Sequence, residues 1–165
     1  MNNSEITTTN SNVVTFVHFH DKIVTEALSW VDTPYHHQAR VKGIGVDCCN
    51  LIAAIGENVG LVNSIIIEPY NLQWHLHSSE EIMLKLIESY GCKQIEFDKS
   101  RQETWPIGSI ATFRYGRANS HLGIIMPNNT LIHAAADYGK VVHSYFDDKL
   151  LSRLQFLYTY PIGAL

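Results

Sequence analysis

The sequence predicts an α+β domain, with helices in its first half and an antiparallel sheet in its second. Three observations carry this. Apolar residues recur at helical spacing in three segments before Gly91. After Trp105-Pro106 the pattern changes to short runs rich in β-branched and aromatic residues. The triplet Pro127-Asn128-Asn129 separates two of those runs as a hairpin turn would. Strands that follow helices, rather than alternating with them, argue against a doubly wound α/β fold.

Taken in order, residues 1–20 are a polar, flexible lead, and residues 21–165 form one domain. A helix over 21–31 puts Ile23, Val24, Ala27, Leu28 and Val31 on one face, with Asp21 as its cap and Thr33-Pro34 as its stop. Residues 32–46 read as a loop that turns at Gly43 and Gly45. A mostly buried helix runs from Cys48 to about Val59, and Asp47 is a good N-cap for it. Residues 61–77 look irregular. Ser78-Ser79-Glu80-Glu81 has the form of a capping box for a helix that reaches Tyr90 and ends at Gly91. Strands follow at 108–115, 121–126, 130–135 and 140–145, then a short helix at 147–154 and a last strand at 155–160 that Pro161 stops.

Bulk properties narrow the function classes. At 165 residues the chain is long enough for one substantial core. A formal charge of −4 argues against a nucleic-acid partner, which would favour a basic surface. No apolar run approaches the length of a membrane span. The start, MNNSEITTTNSN, lacks the basic and apolar parts of a signal peptide, so synthesis in the cytoplasm without an export signal is expected. Three cysteines, two of them adjacent, do not make a disulfide framework, and no Cys-x-x-Cys pair suggests a zinc ribbon.

The stretch Gly45-Val46-Asp47-Cys48-Cys49-Asn50 carries the chemistry. Cys48 falls in the first turn of a capped helix, where unpaired N–H groups and the helix dipole favour a thiolate. Cys49 lies about 100° further round the helix and reads as core. A nucleophilic thiol needs a base and a group that orients the base. His121 begins one strand and His133 lies in the next, so a hairpin would bring their rings together. Each residue alone also has a plain structural reading as core or as a satisfied strand histidine.

Thr33-Pro34-Tyr35, GVDCCNLI, Ser120-His121-Leu122-Gly123-Ile124 and Leu131-Ile132-His133-Ala134 together resemble, in order and approximate spacing, the NlpC-type cell-wall peptidases. The segments from His37 to Cys48, from Tyr70 to Trp74 and from Tyr158 to Pro161 resemble more narrowly the phage tail-associated branch. The resemblance covers roughly residues 21–163. It implies a papain-like fold in which N-terminal helices pack on an antiparallel sheet. It also implies a cysteine peptidase or amidase without a cofactor, with Cys48 as nucleophile, His121 as base and His133 as the residue that orients it. Tyr35 matches a tyrosine that helps hold the oxyanion, and Asp47 matches an acidic residue that either caps the helix or contacts a substrate amine. The substrate implied is a peptidoglycan stem peptide, at the bond from a D-glutamyl residue to a diamino acid. Phage tail proteins are further partners, and the site of action is the bacterial cell wall, reached from a virion.

One departure stands out. Cys49-Asn50 replaces the family's Ser-Gly, and Asn50 is expected to narrow the site or shift the helix. That feature favours the rival reading, a catalytically weak domain kept for tail assembly or wall binding. An amidase of the same fold acting on a non-murein substrate is a third reading. A zinc hydrolase is a distant fourth, raised by nine histidines and the pairs His18-Phe19-His20 and His75-Leu76-His77. His36-His37 is expected at the cleft rim, the three tryptophans in the core, and Arg40, Lys42, Arg114 and Arg117 on the surface.

Overall fold

The computed structural model of the protein describes residues 19–161. The predicted lead up to residue 18 therefore lies outside the described residues. Residues 19–28 are helical (α1), so Asp21 sits inside the helix rather than capping it. Ile23 and Ala27 bury as the periodicity requires, but Leu28 is exposed, and Trp30 fills the core instead. The helix gives way to turns before Asp32 (φ 69°), short of Thr33-Pro34. Asp32 and Thr33 bind this segment to the edge of the sheet: Asp32 N–H donates to the Val141 carbonyl and Val141 N–H to that of Thr33.

Inside the predicted loop, β1 (Arg40–Val41) and β2 (Gly45–Val46) form a small antiparallel hairpin that turns at Gly43. Asp47 then caps α2 (Cys48–Asn58), as expected. Every residue from Cys48 to Gly56 is buried, which makes α2 the central helix. Gly56 is where it meets the chain's end: a Cβ there would lie 2.7 Å from Tyr160 Cε1. A single turn, α3 (Trp74–His77), interrupts the stretch predicted to be irregular. Helix α4 (Ile82–Ser89) ends near Gly91 (φ 84°), but its capping box does not form. Ser78 Oγ accepts from Glu80 N–H instead. Glu81 directs its carboxylate across the fold, accepting from Asn119 N–H at 2.8 Å and pairing with Arg114 at 3.2 Å.

The sheet comprises β3 (Lys93–Ile95), β4 (Ile110–Tyr115), β5 (Ala118–Met126), β6 (Thr130–Ala135), β7 (Lys140–Tyr145) and β8 (Leu154–Thr159). Its order is β3-β8-β4-β5-β6-β7, and every pairing is antiparallel. Strand β3 was not legible in the sequence. The short helix before β8 is α5 (Asp148–Arg153), capped by Asp147. At the β5–β6 turn Asn128 (φ 61°) and Asn129 (φ 56°) both take the left-handed conformation that asparagine tolerates.

Strand alternation splits the core in two. Leu122, Ile124, Met126, Ile132 and Ala134 pack with Ile23, α2 and α4. The intervening residues Ile125 and Leu131 pack with Phe113, Trp105, Leu150 and Leu157. His121 and His133 fall in the second alternation, and the Phe113 and His121 rings lie 5.7 Å apart. Beside His121 the register shifts: Phe113 pairs with His121 but Arg114 with Asn119, so Ser120 is an extra, bulged residue. Among the described residues no helix is long and apolar enough to cross a membrane.

Candidate active site

Cys48 opens α2 because Asp47 stops the preceding strand and accepts the early helical N–H of Asn50 at 2.8 Å. The Asp47 carboxylate is fully engaged inside the protein. Its Oδ1 also accepts from Asn50 Nδ2 at 2.9 Å, and its Oδ2 accepts from Gln38 N–H at 2.7 Å and from the Tyr70 hydroxyl at 3.3 Å. It is 1% exposed and does not line the cleft described below. Of the two roles considered for Asp47, the cap is the one the structure shows.

A cleft of about 540 Å³ brings four of the five predicted residues together: Tyr35, Cys48, His121 and His133 all line it. Tyr35 is held by its backbone, donating N–H to the Gly139 carbonyl at 2.7 Å and bridging to Val46. Its hydroxyl makes no hydrogen bond among the described residues. Burial, then the Cys48 and Asp47 charges, hold that hydroxyl in its protonated, donating form.

The two imidazoles are joined. His121 Nε2 lies 2.7 Å from His133 Nδ1, and His133 Nε2 lies 3.1 Å from Ser144 Oγ. The hairpin predicted from the Asn turn makes this contact possible: β5 and β6 pair with Ile124 opposite Ile132. Gly123 permits the close approach, since a Cβ there would lie 3.1 Å from His133 Cβ and 2.8 Å from Leu131 Cδ1. His121 Nδ1 is left without a partner among the described residues, and no hydrogen bond there joins Cys48 to His121.

Electrostatics favour a neutral pair. Burial, reinforced by the Asp47 charge, pushes the Cys48 thiol up to about 12, although the backbone amides of Leu122, Cys49 and Cys48 pull it down. Burial lowers His133 to about 4. His121 also falls well below the usual imidazole range, through burial and then the His133 charge. The thiolate expected at a helix N-terminus is therefore disfavoured, because the cost of burying a charge exceeds what the dipole and three amides return.

Cys49 and Asn50 do not line the cleft. Asn50 instead links the cap to Arg40: its Oδ1 accepts from Arg40 Nε at 2.9 Å. Arg40 also pairs with Glu57 at 2.8 Å and donates to the Ile65 carbonyl, so it is a structural crosslink rather than an ordinary surface charge. The expectation that Asn50 narrows the site is thus not met.

The aromatic part of the cleft lining was only partly legible. A row of edge-to-face rings, His37–Tyr70–Trp74–His75, runs with centroids 5.0, 5.3 and 5.3 Å apart, and its last three members line the cleft. His37 itself stands behind Tyr70, and neither it nor His36 lines the cleft. Ser144 was missed, because the alternation of β7 shows that it is a strand but not how it registers on β6. Trp30, Trp74 and Trp105 are all buried, as expected. His75-Leu76-His77 falls on the single turn α3, where alternate residues diverge. Its counterpart His18-Phe19-His20 begins outside the described residues. Among the described residues no three His, Cys, Asp or Glu side chains gather as a metal site.

No family model matches the sequence, and no curated protein is significantly similar to it. Solved structures share its fold. One is a lipoprotein-like member of the NLP/P60 family from Staphylococcus aureus, at 17% identity and a TM-score of 0.56, covering 87% of this chain and 41% of that one. The P60 domain of an antigen from Mycobacterium avium subspecies paratuberculosis matches at 15% identity and 0.54, over 90% of this chain and 98% of that one. The peptidoglycan hydrolase RipB from Mycobacterium tuberculosis matches at 16% identity and 0.56, over 98% of this chain and 75% of that one. The chain thus spans less than half of the staphylococcal protein and nearly the whole of the isolated P60 domain. The fold is the papain-like α+β architecture of NlpC/P60 domains.

Proposed function

We propose that the protein is a cysteine peptidase that hydrolyses amide bonds in peptidoglycan stem peptides. The observation that carries the reading is the hydrogen-bonded imidazole pair His121–His133 in a cleft shared with a cysteine at a helix N-terminus. The fold it shares with RipB, a peptidoglycan hydrolase, supports the substrate class. The proton of the Cys48 thiol passes to His121 Nδ1 as sulfur bonds to the amide carbon. The carbonyl oxygen becomes an oxyanion within reach of the Tyr35 hydroxyl and the Cys48 backbone N–H. The C–N bond then breaks, and the amine leaves with the proton from His121. Water attacks the thioester, returning the acid product and the free thiol. The bond from a D-glutamyl residue to a diamino acid is the proposed target. The resemblance of the segments from His37 to Cys48 and from Tyr70 to Trp74 supports action from a phage or prophage tail. The feature that favoured a non-catalytic module, Cys49-Asn50, lies outside the cleft lining.

The test is digestion of purified peptidoglycan with mass spectrometry of the released fragments, for wild type, Cys48→Ala and His121→Ala. New amine and carboxyl ends in stem peptides, absent with either variant, support the reading. Intact murein with folded wild-type protein refutes the substrate. Equal digestion by Cys48→Ala refutes the mechanism.

A further inference from the structure

The hydrogen-bond chain from His121 does not end at His133. Strand β7 pairs with β6 so that Leu131 faces Ser144 and His133 faces Val142. Leu131 and His133 share a face, so Ser144 is the diagonal neighbour of His133 on that face. Its Oγ sits 3.1 Å from His133 Nε2, and Ser144 itself lines the cleft.

We propose that Ser144 is a positioning residue that fixes the tautomers of both histidines by accepting a hydrogen bond from His133 Nε2–H. The inference rests on the reading of Cys48 and His121 as nucleophile and base. Two directions of the chain are conceivable at rest. In one, His121 Nε2–H donates to His133 Nδ1, and His133 Nε2–H donates to Ser144. In the other, Ser144 O–H donates to His133 Nε2, His133 Nδ1–H donates to His121 Nε2, and His121 presents an N–H to the thiol. The second cannot support catalysis, because His121 Nδ1 is then already protonated. The reaction itself selects the first. Once His121 holds the thiol proton, both of its nitrogens are donors. His133 Nδ1 must then accept, so its only proton stays on Nε2. That proton points at Ser144 Oγ, whose lone pairs can take it while the hydroxyl proton turns to the cleft. His133 is 6% exposed, so removing Oγ leaves a buried N–H short of its acceptor.

The experiment is two-bond ¹H–¹⁵N correlation of the ring nitrogens at neutral pH on the full chain. It compares wild type, Ser144→Ala, Ser144→Thr and Ser144→Val, with peptidoglycan turnover measured alongside. Threonine and valine match in shape, so their contrast isolates the hydroxyl even if alanine perturbs the strand. Wild type and Thr should show both rings as Nε2–H. Ala and Val should lose that single pattern, with kcat down about 10- to 100-fold and KM nearly unchanged, the size of the cost of leaving a buried N–H without its acceptor. Unchanged tautomers and turnover in both Ala and Val overturn the proposal. If wild type leaves murein intact, the substrate reading fails by itself. The positioning role then stands if the single Nε2–H pattern is lost in Ala and Val and kept in Thr, and falls if it is not.

Discussion

Acid should destabilise this protein through His133. Burial holds His133 at about 4 in the folded state, against 6.5 in an unfolded chain. Between those values the unfolded state binds more protons than the folded one, so stability falls as pH falls through that window. The gap of about 2.5 units, at about 1.36 kcal/mol each, amounts to about 3 kcal/mol lost between pH 6.5 and pH 4. His121 shifts in the same direction and adds to the loss. The assay is urea unfolding at equilibrium from pH 7 to pH 4, for wild type and His133→Asn. Asparagine can still accept from His121 Nε2–H through Oδ1, but it does not titrate. Groups away from His133 cancel, and burial keeps His121 lowered in both proteins, so the two curves of stability against pH should diverge by about 3 kcal/mol, wild type being the steeper. Curves that stay parallel within about 1 kcal/mol would refute the reasoning, since they would mean that His133 is hydrated or paired enough to keep an ordinary pKa.

The other predictions concern the cap, the oxyanion, the glycine and the thiol. Asp47→Asn removes a charge that raises the Cys48 pKa, so the midpoint of Cys48 alkylation should move to lower pH than in wild type, read by peptide mass spectrometry. The same change sets an amide donor against Gln38 N–H or the Tyr70 hydroxyl, for a loss of about 1–3 kcal/mol in denaturant unfolding. Tyr35→Phe should lower kcat for stem-peptide cleavage by roughly 10²-fold with little change in KM, the usual loss of one oxyanion donor. Gly123→Ala drives a Cβ to 2.8 Å from Leu131 Cδ1, so it should cost about 1–3 kcal/mol of stability in thermal unfolding and slow turnover by displacing His133. In wild type, Cys48 alkylation at pH 7 should be slow and should rise only in alkali, because the thiol sits at about 12.

Legibility in the sequence followed from where each signal comes from. The cap Asp47, helix α2, the strands β4 to β7 and the Asn turn depend on neighbours in the chain, and all were readable. The pair His121–His133 was readable because one short turn fixes the relation of β5 to β6. Strand β3 was not, because Lys93–Ile95 has no alternation of its own and exists by pairing with β8, far along the chain. The capping box at Ser78 failed for a similar reason: Glu81 gains more from the buried Asn119 across the fold than from a local N–H. Ser144 and the Asn50–Arg40 link depend on register and long-range packing, which one sequence does not print.

The thiol is where local reasoning pointed one way and the fold the other. A helix N-terminus contributes at most about 2 kcal/mol toward a nearby negative charge, whereas burying an unpaired ion costs several. Cys48 is 6% exposed and has the Asp47 carboxylate behind it, so the second effect wins and the proton stays on sulfur. An imidazole held well below its usual range cannot take that proton at rest either. On the proposed mechanism, therefore, proton transfer has to be coupled to attack on the carbonyl. In the coupled step the negative charge is not left on the buried sulfur. On that mechanism it passes to the substrate oxygen, which the Tyr35 hydroxyl and the helix amide would receive. A site arranged in this way keeps its nucleophile inert to small electrophiles and releases it only to a substrate whose carbonyl reaches those donors.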